Sequence, residues 1–252
     1  MRGWSMRWAN TGQGRSLATP GTSGVCPACN GSVLAKCGEI VSWHWAHKAK
    51  DCDPWSEPES EWHRGWKAKF PPRWQECTIG RHRADVVTPI GVVEFQRSFL
   101  SMDDVRERES FYAGLTWVVD ASTWALQRQK RSWINQDLKT QKFQWSRPRK
   151  IWISASRPVY LDTGSGCNHL FRLQSVSIKS GTTFAITQPM HKSDFLRMCY
   201  GLPLELPPLL PERSSFDRHQ EAMRRRLEVM TAAKLKDRQF LAGLPLFDAE
   251  PA

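Results

Sequence analysis

The sequence predicts a globular protein that combines β-strands and α-helices, a mixed α/β fold. Residues 83–98 place β-branched and aromatic residues on both sides of Pro89-Ile90-Gly91, a pattern typical of two strands joined by a tight turn. Residues 101–113 carry helix signals, with Ser101 as an N-cap candidate. Residues 115–120 are mostly apolar without alternation, as expected of a strand that is covered on both faces.

The composition indicates a packed protein that binds polyanions. The chain has 252 residues, of which 40% are hydrophobic, and this is adequate for a core. The formal net charge is +11. A basic protein gains affinity for nucleic acid because each phosphate that it neutralises releases counterions. We therefore expect nucleic acid as the partner; a basic surface without a specific partner is the alternative.

Several sequence features bear on the cellular compartment. No apolar run reaches the roughly 18 residues that a membrane span needs, so we expect no membrane association. The amino terminus lacks the apolar core of a secretory signal. The seven cysteines are odd in number and spread along the chain, which favours a reducing cytoplasm with metal-bound thiolates over a disulfide framework.

Composition shifts and proline positions predict how the chain is divided. Gly, Ser, Thr and Arg dominate the first residues, which predicts a flexible arm or a loosely attached strand. Two prolines at residues 51–58 mark a boundary. The predicted segments are a flexible arm (1–24), a Cys/His-rich module (25–54), a mixed core (55–155), a β-rich extension (156–200), a Pro-rich linker (201–213) and a C-terminal helix (214–243).

The second segment carries the spacing of a zinc site. A Cys-x2-Cys turn is followed after fourteen residues by a His pair. Two thiolates and two imidazoles can complete a tetrahedral Zn²⁺ site of the zinc-ribbon kind, which helps a small module to fold. The candidate ligands are Cys26, Cys29, His44 and His47. Because His-x2-His is shorter than the usual finger spacing, Cys37 or Cys52 remains an alternative fourth ligand; two free thiols beside surface histidines are the plainer interpretation.

A helix with ionisable side chains is predicted after the proline-containing boundary. Glu59, His63 and Lys67 follow one another at intervals of four residues, which stacks them on one helix face. An ordinary ladder of surface ion pairs is the alternative interpretation of this pattern.

The predicted hairpin brings two carboxylates together. If the turn centres on Pro89 and Ile90, Asp85 and Glu94 face each other to within about one residue of register, and Gln96 lies on the face of Glu94. Facing carboxylates repel, and a divalent cation between them offsets this repulsion. Mg²⁺ or Mn²⁺ held in this way suits phosphodiester hydrolysis, because the metal lowers the pKa of the attacking water. The alternative is an exposed hairpin whose acids keep it soluble.

Basic residues precede these acids. Arg83 lies two residues before Asp85 and shares its face by strand alternation, so it is the strongest candidate for a contact with the phosphate backbone. Residues 121–150 hold further basic clusters, which either extend a nucleic-acid track or are charged loops. Strands are predicted at residues 151–153 and 159–162. A Met/Leu stripe on the C-terminal helix favours docking, self-association or binding to another protein.

Four of these motifs together resemble the competence protein CoiA family, a branch of the PD-(D/E)xK nuclease superfamily. They are Cys26-Pro27-Ala28-Cys29 with His44-Trp45-Ala46-His47; Glu59-Ser60-x-x-His63-x-x-x-Lys67; Arg83-Ala84-Asp85-Val86; and Glu94-Phe95-Gln96-x-Ser98. The resemblance covers residues 25–120. It implies a PD-(D/E)xK restriction-endonuclease-like core, in which helices flank a mixed sheet.

The resemblance also implies catalytic roles. Asp85 and Glu94 would hold the catalytic Mg²⁺ or Mn²⁺, and Glu59 would be an acidic ligand from the leading helix. His63 would carry a proton or contact phosphate. Gln96 would stand where the wider superfamily usually has lysine, and it would orient a water or a phosphate oxygen without bringing charge.

Nucleic-acid contacts are expected from Lys67 and Arg83, and the resemblance adds Arg108 and Tyr112, because an Arg and a Tyr at the end of this helix lie close to the family's active site. We expect these side chains to position the DNA backbone beside the acids.

Two hypotheses about function follow. The first is a Mg²⁺-dependent deoxyribonuclease of PD-(D/E)xK type that acts in DNA processing or recombination. The second is a non-catalytic nucleic-acid-binding protein that keeps the nuclease fold, such as a DNA-processing accessory or an interference factor of a phage or mobile element. The missing lysine and the unmatched carboxyl-terminal half favour the second hypothesis. A ββα-metal nuclease is a third reading, but it leaves the Asp/Glu pair without a role.

Overall fold

Two β-sheets organise the part of the chain that the structure describes. The structure is a computed structural model, and it describes residues 5–47, 52, 53, 55, 59–128 and 140–203. These residues fall within one compact unit that spans residues 1–204. The predicted linker beyond residue 203 and the predicted helix at 214–243 lie outside the described residues.

The first sheet is antiparallel and contains six strands in the order β1-β6-β5-β4-β2-β3. Its strands are β1 (Ser5–Met6), β2 (Trp8–Thr11), β3 (Gly14–Leu17), β4 (Ser23–Val25), β5 (Ser32–Lys36) and β6 (His44–His47). Met6, Ala9, Val33 and Trp45 form its buried core. From residue 5 onwards the structure favours the predicted strand over the flexible arm. β1 pairs with β6 and β2 with β4, so tertiary partners order a segment whose composition is typical of a loop.

The second sheet contains nine strands in the order β11-β12-β15-β14-β13-β10-β9-β8-β7. Its strands are β7 (Gln75–Ile79), β8 (His82–Thr88), β9 (Gly91–Gln96), β10 (Thr116–Asp120), β11 (Leu126–Arg128), β12 (Gln141–Trp145), β13 (Val159–Asp162), β14 (His169–Lys179) and β15 (Thr182–His191). The pairs β9-β10 and β10-β13 are parallel, and the other pairs are antiparallel. Because β13 pairs directly with β10, the β-rich extension shares one sheet with the predicted core.

Helices cover both faces of the second sheet. They are α1 (Glu61–Lys67), α2 (Met102–Phe111), α3 (Lys150–Ile153) and α4 (Lys192–Cys199), and a 3-10 turn spans Pro72–Trp74. Trp66 of α1 and Phe195 of α4 pack into one hydrophobic core. Val105 of α2 and Trp152 of α3 pack into a second core. The protein is thus a mixed α+β structure, mostly sheet.

Most elements predicted around the acids are confirmed. The β8-β9 hairpin turns at Pro89 and Ile90, since Thr88 pairs with Gly91. Helix α2 begins after its Ser101 cap. The strand predicted at residues 151–153 is wrong: this short apolar run is the helix α3, and periodicity alone cannot separate a short strand from a short buried helix. Among the described helices, none is long and apolar enough to cross a membrane.

Candidate functional site

The first part of the site is a cluster of three thiols and one imidazole. The ligand atoms of Cys26, Cys29, His47 and Cys52 all lie within 4.8 Å of one another. Cys26 Sγ and Cys52 Sγ are 3.8 Å apart. This separation matches the edge of a tetrahedron with Zn–S bonds of about 2.3 Å, which is about 3.8 Å, and it exceeds a disulfide bond of about 2.05 Å. The donor set and its spacing fit a structural Zn²⁺ ion.

The local backbone shapes this cluster. Cys26 and Cys29 follow β4 in a turn in which the amides of Ala28 and Gly31 point at the two sulfurs, each at 3.4 Å. These two N–H groups donate to the sulfurs and hold the turn in the shape that brings Cys26 and Cys29 together. His47 ends β6 and brings the imidazole to the same place.

His44 is not part of the cluster, which corrects the predicted ligand set. In strand β6, His44 and His47 are three residues apart and therefore point to opposite faces. Nδ1 of His44 instead lies 2.9 Å from the carbonyl oxygen of Ser42. Cys52 supplies the fourth group, and Cys37 is outside the cluster. The alternative that the sequence left open for Cys52 is the one that the structure favours.

The second part of the site lies where β8 and β9 separate. Their register places Asp85 opposite Glu94, next to the Val86–Val93 pair. At this point side-chain carboxylates, rather than backbone carbonyl groups, accept the hydrogen bonds between the strands. The Asp85 amide donates to Glu94 Oε1 at 3.0 Å, and the Phe95 amide donates to Asp85 Oδ2 at 2.9 Å. Each carboxylate accepts a bond from the other strand, so both are fixed in position.

Glu76 adds a carboxylate that the sequence analysis missed. The pairs Gln75–Val86 and Cys77–Ala84 place Glu76 across from Asp85 on the neighbouring strand. The sequence feature that could have revealed Glu76 is the turn between Ile79 and His82, because counting back from this turn gives the register of the two strands. Glu76 also adopts a positive φ of 48°. Burial raises the pKa of Glu76, but attraction by Lys67 and Arg83 outweighs burial and lowers it to about 2.

Lys67 reaches into these acids from α1. Its Nζ lies 2.6 Å from Glu59 Oε1, 2.9 Å from Glu76 Oε1 and 3.4 Å from Asp85 Oδ1, and its side chain is 6% exposed. Burial lowers the pKa of Lys67, but attraction by the carboxylates, led by Glu76, outweighs burial and raises the pKa. The ammonium is therefore charged at neutral pH, and it neutralises part of the acidic cluster.

The N-terminus of helix α1 fixes the positions of Glu59 and His63. Ser60 is the N-cap, and its hydroxyl and the His63 ring form a capping box, with Ser60 Oγ 2.8 Å from His63 Nδ1. Glu59 therefore precedes the helix rather than lying on its face, and its amide donates to Ser5 Oγ at 3.4 Å. Glu59, His63 and Lys67 nevertheless line one pocket with Asp85 and Glu94, as the interval of four residues suggested.

Among Glu59, Glu76, Asp85 and Glu94, Glu94 has the most distant cation. Arg108 approaches Glu94 Oε2 only to 3.5 Å, and it also donates to the carbonyl oxygen of Trp55 at 3.2 Å. Burial, followed by repulsion from Asp85, raises the pKa of Glu94 to about 8. A buried carboxyl with a raised pKa holds a proton unless a nearby cation stabilises its charged form.

The remaining predicted residues have different surroundings. Gln96 lines the same pocket and donates to Ser98 Oγ at 3.2 Å. Arg83 lines it as well and donates to the Ser5 carbonyl oxygen at 3.3 Å. Tyr112 is 2% exposed and is not among the pocket residues, which gives no support to the expected contact with nucleic acid; that contact stays a prediction. The sequence pattern correctly placed Tyr112 at the C-terminal end of α2, but it gave no information on how buried the Tyr112 side chain is.

The pocket as a whole joins the two sheets. It is lined by Ser5, Trp55, Glu59, His63, Lys67, Arg83, Asp85, Glu94, Phe95, Gln96 and Arg108. Carboxylates and cations dominate this lining, so the site suits a charged ligand rather than an apolar one.

Comparison with known proteins identifies one region. Residues 21–54 match the family model described as Competence protein CoiA, N-terminal domain. The match covers the thiol and imidazole cluster and confirms the CoiA-like resemblance there. Searches of the curated proteins and of the solved structures found no match to the chain.

Exchanging single candidate ligands tests the zinc cluster. We expect Cys52→Ser to lose most of the bound zinc, because a hydroxyl is a poor replacement for a thiolate ligand. His44→Ala is the matched control and should retain the wild-type zinc content. Elemental analysis of the purified proteins measures this, and zinc loss in His44→Ala with retention in Cys52→Ser would contradict the assignment.

The raised pKa of Glu94 predicts a pH-dependent stability. Its folded-state pKa of about 8 exceeds the ordinary value of 4.5, so protonation favours the folded state and stability is lost as pH rises from 4.5 towards 8. Glu94→Gln removes this loss. We expect the free energy of unfolding of Glu94→Gln, relative to that of the wild type, to increase by on the order of 3 kcal/mol across this pH range. Urea unfolding in magnesium-free buffer measures it; an advantage independent of pH would contradict the assignment.

Proposed function

We propose that this CoiA-like protein is a metal-dependent deoxyribonuclease that hydrolyses phosphodiester bonds in DNA processing or recombination. The observation that carries the proposal is the convergence of Asp85 and Glu94 at the point where β8 and β9 separate, in a pocket that also holds Glu59, His63 and Lys67. The mixed sheet with helices on both faces is consistent with the PD-(D/E)xK core that the resemblance implies.

The oxygens of the acid pair suit a hard cation. Asp85 Oδ2 and Glu94 Oε1 accept backbone N–H groups, which leaves Asp85 Oδ1 and Glu94 Oε2. These two oxygens lie 3.4 Å from Lys67 and 3.5 Å from Arg108, longer than the typical charge-assisted bond of about 2.8 Å. Asp85 and Glu94 would therefore hold Mg²⁺ or Mn²⁺, with Glu59 as the further acidic group. The metal would supply an activated water and a Lewis acid for the phosphoryl oxygen.

Lys67 offers the positive charge that Gln96 cannot bring. The resemblance to the CoiA family implies that Gln96 stands where the wider nuclease superfamily usually has lysine. The Lys67 ammonium enters the same pocket from α1, and its raised pKa keeps it charged. We assign it the stabilisation of the negative charge that develops on the phosphate. Gln96 would orient a water or a phosphate oxygen, and His63 would carry the proton to the leaving group.

The net charge supports a DNA substrate. The chain carries a formal net charge of +11, which attracts a polyanion to an otherwise acid-rich pocket. Arg83 lies at the pocket wall next to the acids, where its guanidinium favours a phosphate group. DNA, rather than a small anionic ligand, is the substrate that a strongly basic protein attracts best.

One observation favours the second hypothesis, a non-catalytic nucleic-acid-binding protein. Lys67 already contacts three carboxylates, and Arg108 contacts Glu94. These two cations neutralise part of the acidic cluster without a metal. In a binding protein they would hold the fold together, and the basic surface alone would bind DNA.

A cleavage assay with matched variants separates the two hypotheses. Single- and double-stranded DNA is incubated with the full-length protein and Mg²⁺ or Mn²⁺. We expect cleavage that falls about 100-fold or more in Asp85→Asn and in Glu94→Gln, because several kcal/mol of metal-derived stabilisation are lost. Glu107→Gln, which changes a half-exposed carboxylate of α2, should leave cleavage unchanged. DNA binding without cleavage in either metal would overturn the nuclease and support the binding protein.

A further inference from the structure

Asp53 connects the thiol and imidazole cluster to the acid pair. It directly follows the candidate ligand Cys52, and it is buried. Its Oδ2 accepts the Arg83 amide at 2.7 Å, and its Oδ1 lies 2.8 Å from His82 Nδ1. Both bonds hold the start of β8, two residues before Asp85. Bonds to a carboxylate are among the stronger hydrogen bonds in proteins, so this contact fixes the strand firmly.

Trp55 forms a second connection from the same segment. Its ring stacks on the His82 ring with a centroid separation of 3.3 Å and an interplanar angle of 4°. Its carbonyl oxygen accepts a bond from Arg108 at 3.2 Å, and Arg108 is the cation that approaches Glu94. The segment after Cys52 therefore touches the surroundings of both acids: Asp53 at β8, and Trp55 through Arg108 at β9.

Strand β1 of the first sheet also contacts residues at the acidic pocket. β1 pairs with β6, the strand that ends at His47. The Ser5 carbonyl oxygen in β1 accepts a bond from Arg83 at 3.3 Å. The amides of Arg7 and Trp8 donate to Glu76, with the Arg7 bond to Oε2 at 2.9 Å. The segment that follows Cys52 thus contacts the acidic pocket directly, and the strand of His47 is joined to the pocket through its neighbour β1.

We propose that Asp53 and Trp55 are positioning residues through which zinc binding by Cys26, Cys29, His47 and Cys52 fixes the geometry of Asp85 and Glu94. Zinc holds Cys52 in place, and the two residues that follow then hold β8 and Arg108. Without zinc the segment loses its anchor, because a structural metal supplies much of the folding free energy of a small module. The acid pair then loses the bonds that keep its two strands in position.

This coupling must be reciprocal. If zinc orders the acid pair, a divalent cation at the acid pair stabilises the zinc-bound state by the same factor. The inference rests on the proposed function only in taking Asp85 and Glu94 as the pair that holds the catalytic metal. The position of the acids can be measured without any cleavage.

Two backbone amides report on that position directly. The Asp85 amide donates to Glu94, and the Phe95 amide donates to Asp85, so their hydrogen exchange accelerates when the carboxylates move. Exchange is measured at residue resolution in the full-length zinc protein, after zinc removal, and in Asp53→Asn. We expect roughly tenfold faster exchange at both amides in the last two samples, a typical size for coupled sites. Strands β13 and β15 serve as the internal reference for global unfolding.

Controls separate the coupling from other effects. Asp103→Asn, an exposed carboxylate of α2, should leave both amides unchanged. Unchanged exchange at the Asp85 and Phe95 amides after zinc removal and in Asp53→Asn would overturn the inference, as would equal acceleration in the reference strands. Mn²⁺ titration of the same zinc protein tests the proposed function separately. Coupled exchange without Mn²⁺ binding at the acid pair would defeat the metal-dependent nuclease and leave the inference intact.

Discussion

The concentration of buried negative charge is the constraint on which the rest of the structure depends. Glu76, Asp85 and Glu94 lie side by side on three neighbouring strands, and Glu59 joins them from the segment before α1. Buried carboxylates repel one another and lose hydration, so each needs a cation or hydrogen bonds to persist. The Lys67 ammonium meets this need for three of the four acids. Glu94 is left with one distant guanidinium, and the divalent cation that we propose would compensate this imbalance.

The architecture around the acids follows from holding them in place. β8 and β9 separate at the acid pair, and each carboxylate accepts an amide that the partner strand would otherwise satisfy. Helix α1 supplies the compensating charge, and its capping box fixes the point where the helix begins. The first sheet contributes backbone N–H groups to Glu76 and a carbonyl oxygen to Arg83. The thiol and imidazole cluster and the acidic pocket are thus connected through short hydrogen-bonded segments.

The sequence predicted the parts of the site that depend on local rules. A two-residue turn and strand alternation were sufficient to place Asp85 opposite Glu94, and the interval of four brought Lys67 into the same pocket. Glu76 was missed because its strand has no apolar alternation, and its position depends on register with β8. His44 was chosen by spacing, whereas the strand geometry of β6 turns it away from His47. The order of the first strands depends on pairing between distant segments, which composition does not encode.

Anomalous diffraction from crystals soaked in Mn²⁺ tests the central claim most directly. The account predicts a manganese peak at about 2.0–2.4 Å from carboxylate oxygens of both Asp85 and Glu94, with the zinc peak at the Cys26, Cys29, His47 and Cys52 cluster. A map with the zinc peak but no manganese between the two acids, and with Lys67 and Arg108 still neutralising them, would contradict it.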